Sequence, residues 1–502
     1  MTSTIFFIIL VVLLFSMTGL SLFLRKREHV DSSFEYLVAG RRVNPGFMIA
    51  SFIATWMWAA DIMAVPQTVY YSGVAGIWYY ALPVLFSGFF AAFVIFRLRK
   101  IFPTAITYQH FFRKRLDRKN HIVFIGVGIY VMVAAAMLQI RVGGEIIAAM
   151  TGMNALVVCF LLLLVITIYT MIAGLWASIS TDSIQFGTAA VLTIVFVPII
   201  LINAGGPAEV FTLIEKHWNG INPGILAFNG VTWDSMYNFF LPFVFVWGVW
   251  GIASMSIWQR GFAVRRDRLT RTLVGGSIGW FSTIPVYGLV GLVALAYFPE
   301  LTGPGADFSV DNSAEAAIMV YTKFLGGALP QIVFVIVLVA LLVSTADSAI
   351  AALSSLTTND IYKANINPNA DEKTLFMLAR WSVPFWSAVV MVVVWAMFHV
   401  DFLTCIWLNG MAFTAVCFPL IYCLFSKRIS ANAVFITSFV VFISLAYWFF
   451  FSGAVDFSEG TFGDLVPMYM VGYAESLILP PLLSLIWKDD FNFDSLKTEK
   501  EL

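Results

Sequence analysis

The chain is poor in charge. Of its 502 residues, 12% are Asp, Glu, Lys or Arg, whereas soluble domains carry about 25%. A soluble molecule of this length has a wide surface to keep wet, and so few charges cannot cover it. A water-soluble enzyme with a membrane tag is excluded. Cysteine is scarce as well. Cys159, Cys405, Cys417 and Cys423 all lie in apolar runs, and none forms a C-x-x-C pair. That argues against a disulfide framework and against a zinc site. The five histidines are scattered without metal-ligand spacing. No nucleophile–base constellation appears, so an enzyme is the least favoured class. Low-complexity tracts and short repeats are missing too.

Apolar residues fill the gap. They make up 60% of the chain, aromatics make up 16%, and mean hydropathy is +0.88. At about 20 residues per crossing, roughly thirteen spans with short loops use up the length. No stretch remains for a fused kinase, nucleotide-binding or DNA-binding module, and no nucleic-acid partner is expected. The expectation is an all-α polytopic membrane protein. Its spans are predicted at 4–24, 47–71, 76–97, 121–142, 153–174, 178–202, 236–258, 272–298, 327–359, 377–399, 401–426, 432–452 and 464–487. The first run, from Ile5 to Leu24, has no basic n-region and no small-residue cleavage site. It reads as a retained helix rather than a signal peptide.

Net charge is zero, from 29 basic and 29 acidic residues. That zero hides a sorting by position. One set of alternate loops receives only Arg141, Lys216 and Lys323, which leaves 26 of the 29 basic residues on the other side. The rich side includes Arg25, Arg41, Arg42, Arg113, Arg115, Arg260, Arg265, Lys363, Lys373, Lys427 and Lys488. Basic loops stay in the cytoplasm. The N-terminus is therefore expected outside and the C-terminus inside, which requires an odd number of spans. Loops 203–235 and 300–326 fall outside, with short surface helices expected in them. Trp218, Trp233 and Trp448 stand near span ends, where interfacial aromatics belong.

Ionisable residues within the bilayer are costly, and each is a functional candidate. Arg141 and Glu145 are four apart on a helix and suit each other as a pair. Glu475 in the last span has no evident role. Three aspartates remain: Asp61, Asp182 and Asp347. Ser344, Asp347 and Ser348 share a helical face, and Thr345 adds a further hydroxyl. Hard oxygen donors clustered around a carboxylate suit a monovalent cation. The competing reading is that these hydroxyls bond back to carbonyls four residues earlier. Asp182 and Asp347 fall in the inner half of the membrane at overlapping depth. If they meet, a cation lies between them or one is protonated. Thr55, Asp61 and Pro66 interrupt the second span, and Pro242, Gly248 and Gly251 interrupt the seventh. Broken helices expose carbonyls to ions. Two such spans, five apart, suggest two inverted five-helix repeats.

These residues resemble the solute:sodium symporter family, which includes sodium/proline, sodium/sugar, sodium/sialic acid and urea transporters. The stretch Phe34-Glu-Tyr-Leu-Val-Ala-Gly-Arg-Arg42 looks like its cytoplasmic motif. Ala173-Gly-Leu-Trp-Ala-Ser-Ile-Ser-Thr-Asp182-Ser-Ile-Gln185 resembles its most specific pattern, and Trp258-Gln-Arg260 also fits. Ser344-Thr345 and the run from Ser354 to Lys363 resemble its ion-site helix. Ala54-Thr-Trp-Met-Trp-Ala59 and Trp78-Tyr-Tyr80 look most like the urea branch.

The resemblance implies a leucine-transporter-type five-plus-five inverted repeat and alternating access driven by Na⁺ as coupling ion. It divides the chain into 1–46 (first helix and cytoplasmic loop), 47–426 (transport core) and 427–502 (two further helices and a tail). Carried over by position, the main sodium site uses carbonyls of Ala54, Met57 and Leu341 with hydroxyls of Ser344 and Thr345. A second cation site maps to Asp182, Asp347 and Ser348, with Ser344 shared. Asp347 departs from the hydroxyl usual there, which leaves a second Na⁺, a proton or a structural pair open. The solute cavity maps to Trp58, Asp61, Tyr79, Tyr80, Trp250 and Asn409. Asp61 departs from the urea branch and suits an amine or guanidine-like group; its alternative role is an interhelical hydrogen bond. The expected function is sodium-coupled import of a small polar solute (urea-, amine- or amino-acid-like) across the cell membrane, plasma or inner, with the bilayer as its surroundings. No obligate protein partner is evident. Proton coupling on the same fold, and a non-concentrating channel or sensor, are the rivals.

Overall fold

The computed structural model describes residues 2–218, 224–226, 233, 236–299, 310–400, 402–452, 455–456, 461–462 and 465–497. The first half comprises α1 (Ser3–Arg27), α2 (Ser33–Val38), α3 (Pro45–Trp56), α4 (Ala59–Ser72), α5 (Ala75–Ile101), α6 (Tyr108–Arg115), α7 (Arg118–Thr151), α8 (Ala155–Asn203) and α9 (Pro207–Trp218). The second comprises α10 (Leu241–Ala253), α11 (Met255–Ala263), α12 (Leu269–Phe281), α13 (Ile284–Tyr297), α14 (Val310–Phe324) and α15 (Ala328–Ser355). Then follow α16 (Glu372–Ala396), α17 (Phe402–Phe425), α18 (Ala431–Phe451) and α19 (Leu465–Leu483). A two-residue hairpin, Val455–Asp456 with Thr461–Phe462, precedes α19.

Among the described residues ten helices are long and apolar enough to cross a membrane, or twelve when two bent pairs count as single spans. One of the ten, α8, has 49 residues and would reach roughly 70 Å as a straight rod, more than twice a bilayer core of about 30 Å. It is two spans joined at Gly174, whose φ of 56° and ψ of −132° interrupt the helix. Counting both halves gives the thirteen spans expected. A side chain at Gly174 would also strike the Tyr36 carbonyl, 2.6 Å from where its Cβ would stand. Glycine is required here by dihedral and by contact alike.

The bent pairs are α3–α4, at 54°, and α10–α11, at 43°. They are the second and seventh spans, but neither break falls on a proline. Pro45 and Pro242 sit in the first turn of α3 and α10, where a missing N–H costs nothing. Pro66 lies inside α4. The carbonyl it leaves without a donor, Ile62, accepts from the Tyr321 hydroxyl at 2.7 Å. Pro481 is handled likewise, Tyr422 donating to Leu477 at 2.7 Å. The breaks come at Met57–Trp58 and at Ser254, where the backbone turns extended.

Helix α15 packs against α7 and both halves of α8, while α10 packs on α5 and α17, and α3 on α8 and α12. Large apolar side chains face outward, among them Phe15, Ile194, Trp395 and Phe451. Polar side chains gather inside. That inversion suits a hydrocarbon surrounding. Trp218 does not serve as an interfacial anchor: it is buried, with its indole N–H 3.3 Å from the Leu295 carbonyl. Helices α9 and α14 form in the two long outer loops; residues 219–223, 227–232, 234–235 and 300–309 of those loops lie outside the described residues.

Candidate functional site

The first break frees backbone oxygens. Trp58 N–H leaves the helical ladder and donates to Asp61 Oδ2 at 3.0 Å. Ala59 N–H donates to Gln139 Oε1 at 2.8 Å, and Asp61 N–H to the Trp58 carbonyl at 3.0 Å. The carbonyls of Ala54, Thr55 and Met57 thereby lose the donors four residues ahead. Thr345 Oγ1 lies 3.1 Å from the Thr55 carbonyl and 3.5 Å from that of Leu341. Of the residues expected in the main site, Thr345 thus lies against the break through the Thr55 carbonyl, while Ser344 donates to Asp182 instead. The second break is stoppered instead. Trp258 Nε1 occupies the Ile252 carbonyl at 2.7 Å, and the Tyr108 hydroxyl occupies that of Ala253 at 3.1 Å.

Beside the first break lies a fully buried polar cluster. Asp182 Oδ1 accepts from Ser344 at 2.5 Å, and its Oδ2 accepts from Ser51 at 2.5 Å. Asp347 accepts from Tyr169 at 2.5 Å, Ser178 at 2.9 Å and Ser348 at 3.1 Å. The two carboxylates do not share a bare contact. Between them stands Arg260, whose Nη2 is 2.6 Å from Asp182 Oδ2 and 2.7 Å from Ser348 Oγ. Its side chain is fully buried. Arg260 is therefore no loop cation, and it leaves the basic tally of the cytoplasmic face. Helix α11, turned inward at Ser254, carries it into the bundle.

The solute residues are all less than 5% exposed. Asp61 sits in the first turn of α4, where the helix dipole favours a carboxylate. Besides Trp58 N–H it accepts from the Tyr80 hydroxyl and from Trp280 Nε1, the latter at 3.2 Å. The Trp58 ring meets Trp247 and Trp250 edge-on at 5.1 and 4.9 Å, and Trp250 meets Phe413 at 5.1 Å. Asn409, one turn before Phe413, donates weakly to Cys405 while its Oδ1 has no partner. Tyr79 points elsewhere, its ring against Phe240. Gln139 Nε2 and Trp247 Nε1 are buried polar atoms without hydrogen-bond partners.

Arg141 pairs with Glu145 at 2.7 Å and donates to the carbonyls of Met397 and Val400. Glu475 accepts from the Ser444 side chain on α18, and its Oε2 has no hydrogen-bond partner among the described residues. Sequence reasoning missed Arg260, Ser51, Tyr169, Ser178, Trp280 and Gln139. Two signals were present. Ser178, Thr181 and Asp182 repeat the i, i+3, i+4 spacing of Ser344, Asp347 and Ser348 on the facing helix, and Gln139 is an amide within a long apolar run.

Comparison with known proteins bears on the family and the fold. The urea active transporter of Saccharomyces cerevisiae is 23% identical over 379 residues, covering 72% of this chain and 51% of that protein. A urea-proton symporter of Oryza sativa subsp. japonica is 24% identical over 389 residues, covering 72% and 53%. The chain thus spans about half the length of these curated relatives. A solved Na⁺-coupled sialic acid symporter, substrate-bound and outward-open, superposes with a TM-score of 0.74 at 16% identity, over 97% of this chain and 99% of that one. The fold is of the leucine-transporter type. The family model described as "Sodium:solute symporter family" matches residues 36–440, and the chain belongs to that family.

Proposed function

We propose that this protein imports a small, neutral, urea-like solute by sodium-coupled alternating access. The observation that carries the reading is the open break in span 2, where the released Thr55 carbonyl meets the hydroxyl of Thr345. Sodium is cargo here, held by the carbonyls of Ala54, Met57 and Leu341 and the hydroxyls of Ser344 and Thr345. The transport core is 47–426, the membrane is the cell membrane, and the basic loops face the cytoplasm. Coupling requires that sodium bind one state more tightly than the other.

The free hydrogen-bonding atoms favour a neutral solute. Asp61 already accepts from three donors, which leaves it poorly placed to hold an amine. Gln139 Nε2 and Trp247 Nε1 offer two donors, and Asn409 Oδ1 offers an acceptor. A carbonyl flanked by N–H groups complements that set, with Trp58, Trp247 and Trp250 as apolar walls. The urea transporters among the relatives support the same class.

Labelled urea should accumulate above its outside concentration in proteoliposomes under an inward Na⁺ gradient. Mere equilibration would make the protein a channel. Accumulation that ignores Na⁺ and follows an imposed pH gradient would favour the second reading, a proton symporter, which the Oryza relative supports. Joint replacement Ser344→Ala and Thr345→Ala should weaken sodium activation at least tenfold, equivalent to about 1.4 kcal/mol. Unchanged sodium dependence would sink the site.

A further inference from the structure

We propose that the Arg260 guanidinium is a cation tethered in the second ion position, so that a single Na⁺ accompanies each solute. The inference rests on the sodium reading above. A second Na⁺ at Asp182, Asp347 and Ser348 would need lone pairs that no N–H occupies. Arg260 occupies those of Asp182 Oδ2 and Ser348 Oγ. Its Nη2 reaches Asp182 Oδ2 at 2.6 Å and Ser348 Oγ at 2.7 Å, its Nε reaches Ser51 Oγ at 3.0 Å, and its Nη1 reaches the Ser256 carbonyl at 3.0 Å. Asp347 is enclosed by the hydroxyls of Tyr169, Ser178 and Ser348. The donor geometry suits a planar fork and leaves no oxygen cage for a spherical ion.

Charge is compatible with that count. Asp182, Asp347 and Arg260 are all fully buried, and with both carboxyls ionised they would carry one net negative charge. A buried charge needs a partner. The main site adjoins this cluster through Ser344, whose hydroxyl donates to Asp182 Oδ1 at 2.5 Å. One Na⁺ there brings the whole assembly to neutrality. A second would leave it positive. Arg260 anchors Asp182 through Oδ2, and the Ser344 hydroxyl donates to the other oxygen, Oδ1. The lone pairs of Ser344 are then turned away from the carboxylate and toward the incoming ion.

Counting bound Na⁺ with and without Arg260 decides the matter. Wild-type protein in detergent, titrated with Na⁺ and followed by melting temperature, should give a Hill coefficient of about 1, which is bounded by the number of sites. Reversal potentials in proteoliposomes should give one charge per urea. Arg260→Gln should open the second position and raise the Hill coefficient toward about 2. Arg260→Lys keeps the charge and should stay near the wild-type value. Asp182→Asn combined with Arg260→Gln, which restores the charge balance, should return to it as well and guards against a misfolded single variant. Two Na⁺ per solute in the wild type would overturn the proposal. So would an Arg260→Gln protein that is monodisperse, still binds solute and still takes one Na⁺. If no variant and no wild-type sample responds to Na⁺, the sodium reading itself fails and this inference falls with it.

Discussion

Asp61 illustrates how one carboxylate shapes a site by accepting. It caps α4 through Trp58 N–H and ties in Tyr80 and Trp280. Asn in its place keeps one accepting oxygen and introduces an amide that competes with those donors. We predict that Asp61→Asn lowers stability by about 1–3 kcal/mol per donor left unsatisfied and weakens solute affinity more than sodium affinity. Paired titrations of solute and Na⁺ check this; the reverse order would move Asp61 to the ion path. His110, on α6 between two spans, supplies a pH signature. Burial first, then the neighbouring charges of Lys114, His121, Arg113 and Lys363, hold its pKa down at about 3. Its folded pKa is below the unfolded one of about 6.5, so the unfolded chain binds more protons in between. The stability it contributes is full above pH 6.5 and drains away as pH falls toward 3. Melting temperature in detergent should drop across that window, and His110→Asn should flatten the drop. A slope unaffected by that substitution would refute the assignment. At this scale the acids were legible, because a carboxylate is costly to place in an apolar run. Arg260 was not. It stands five residues before Arg265 in a basic stretch, and only the bend at Ser254 shows that it turns inward.

Helices were legible by their apolar length; their interruptions were legible only in part. Proline marks where a donor is missing, and the fold answers with a tyrosine, as Tyr321 does for Pro66. The break in span 2 instead arises where side chains capture N–H groups, as Asp61 and Gln139 do. That capture depends on contacts between distant segments, which local pattern cannot reveal. Gly174 is the opposite case, a break dictated by one residue. Gly174→Ala should destabilise by about 1–3 kcal/mol, because its backbone lies in a region almost confined to glycine. A melting temperature equal to the wild type would show that the α8 joint adjusts freely.

By the sorting of alternate loops in the sequence, 25 basic residues fall on one side against 3 on the other once Arg260 is removed from the tally. The assignment of the richer side to the cytoplasm predicts labelling. A cysteine at Lys373 should react with an impermeant maleimide only from inside, and one at Lys216 only from outside; both positions are exposed. Reaction from the opposite sides would invert the topology. The two-break architecture also divides labour. The first break leaves carbonyls released and the second has its carbonyls taken by Trp258 and Tyr108, so the two related halves are built differently.

The tryptophan trio has an optical consequence. The rings of Trp58, Trp247 and Trp250 stand 4.9 to 5.6 Å apart at steep mutual angles. Indoles so close couple their excited states, and the coupling depends on their relative orientation. The protein thus carries its own chromophore at the place where solute is proposed to enter. A solute that parts the rings should alter the near-ultraviolet circular dichroism without any attached dye, and Trp250→Phe should abolish most of that change.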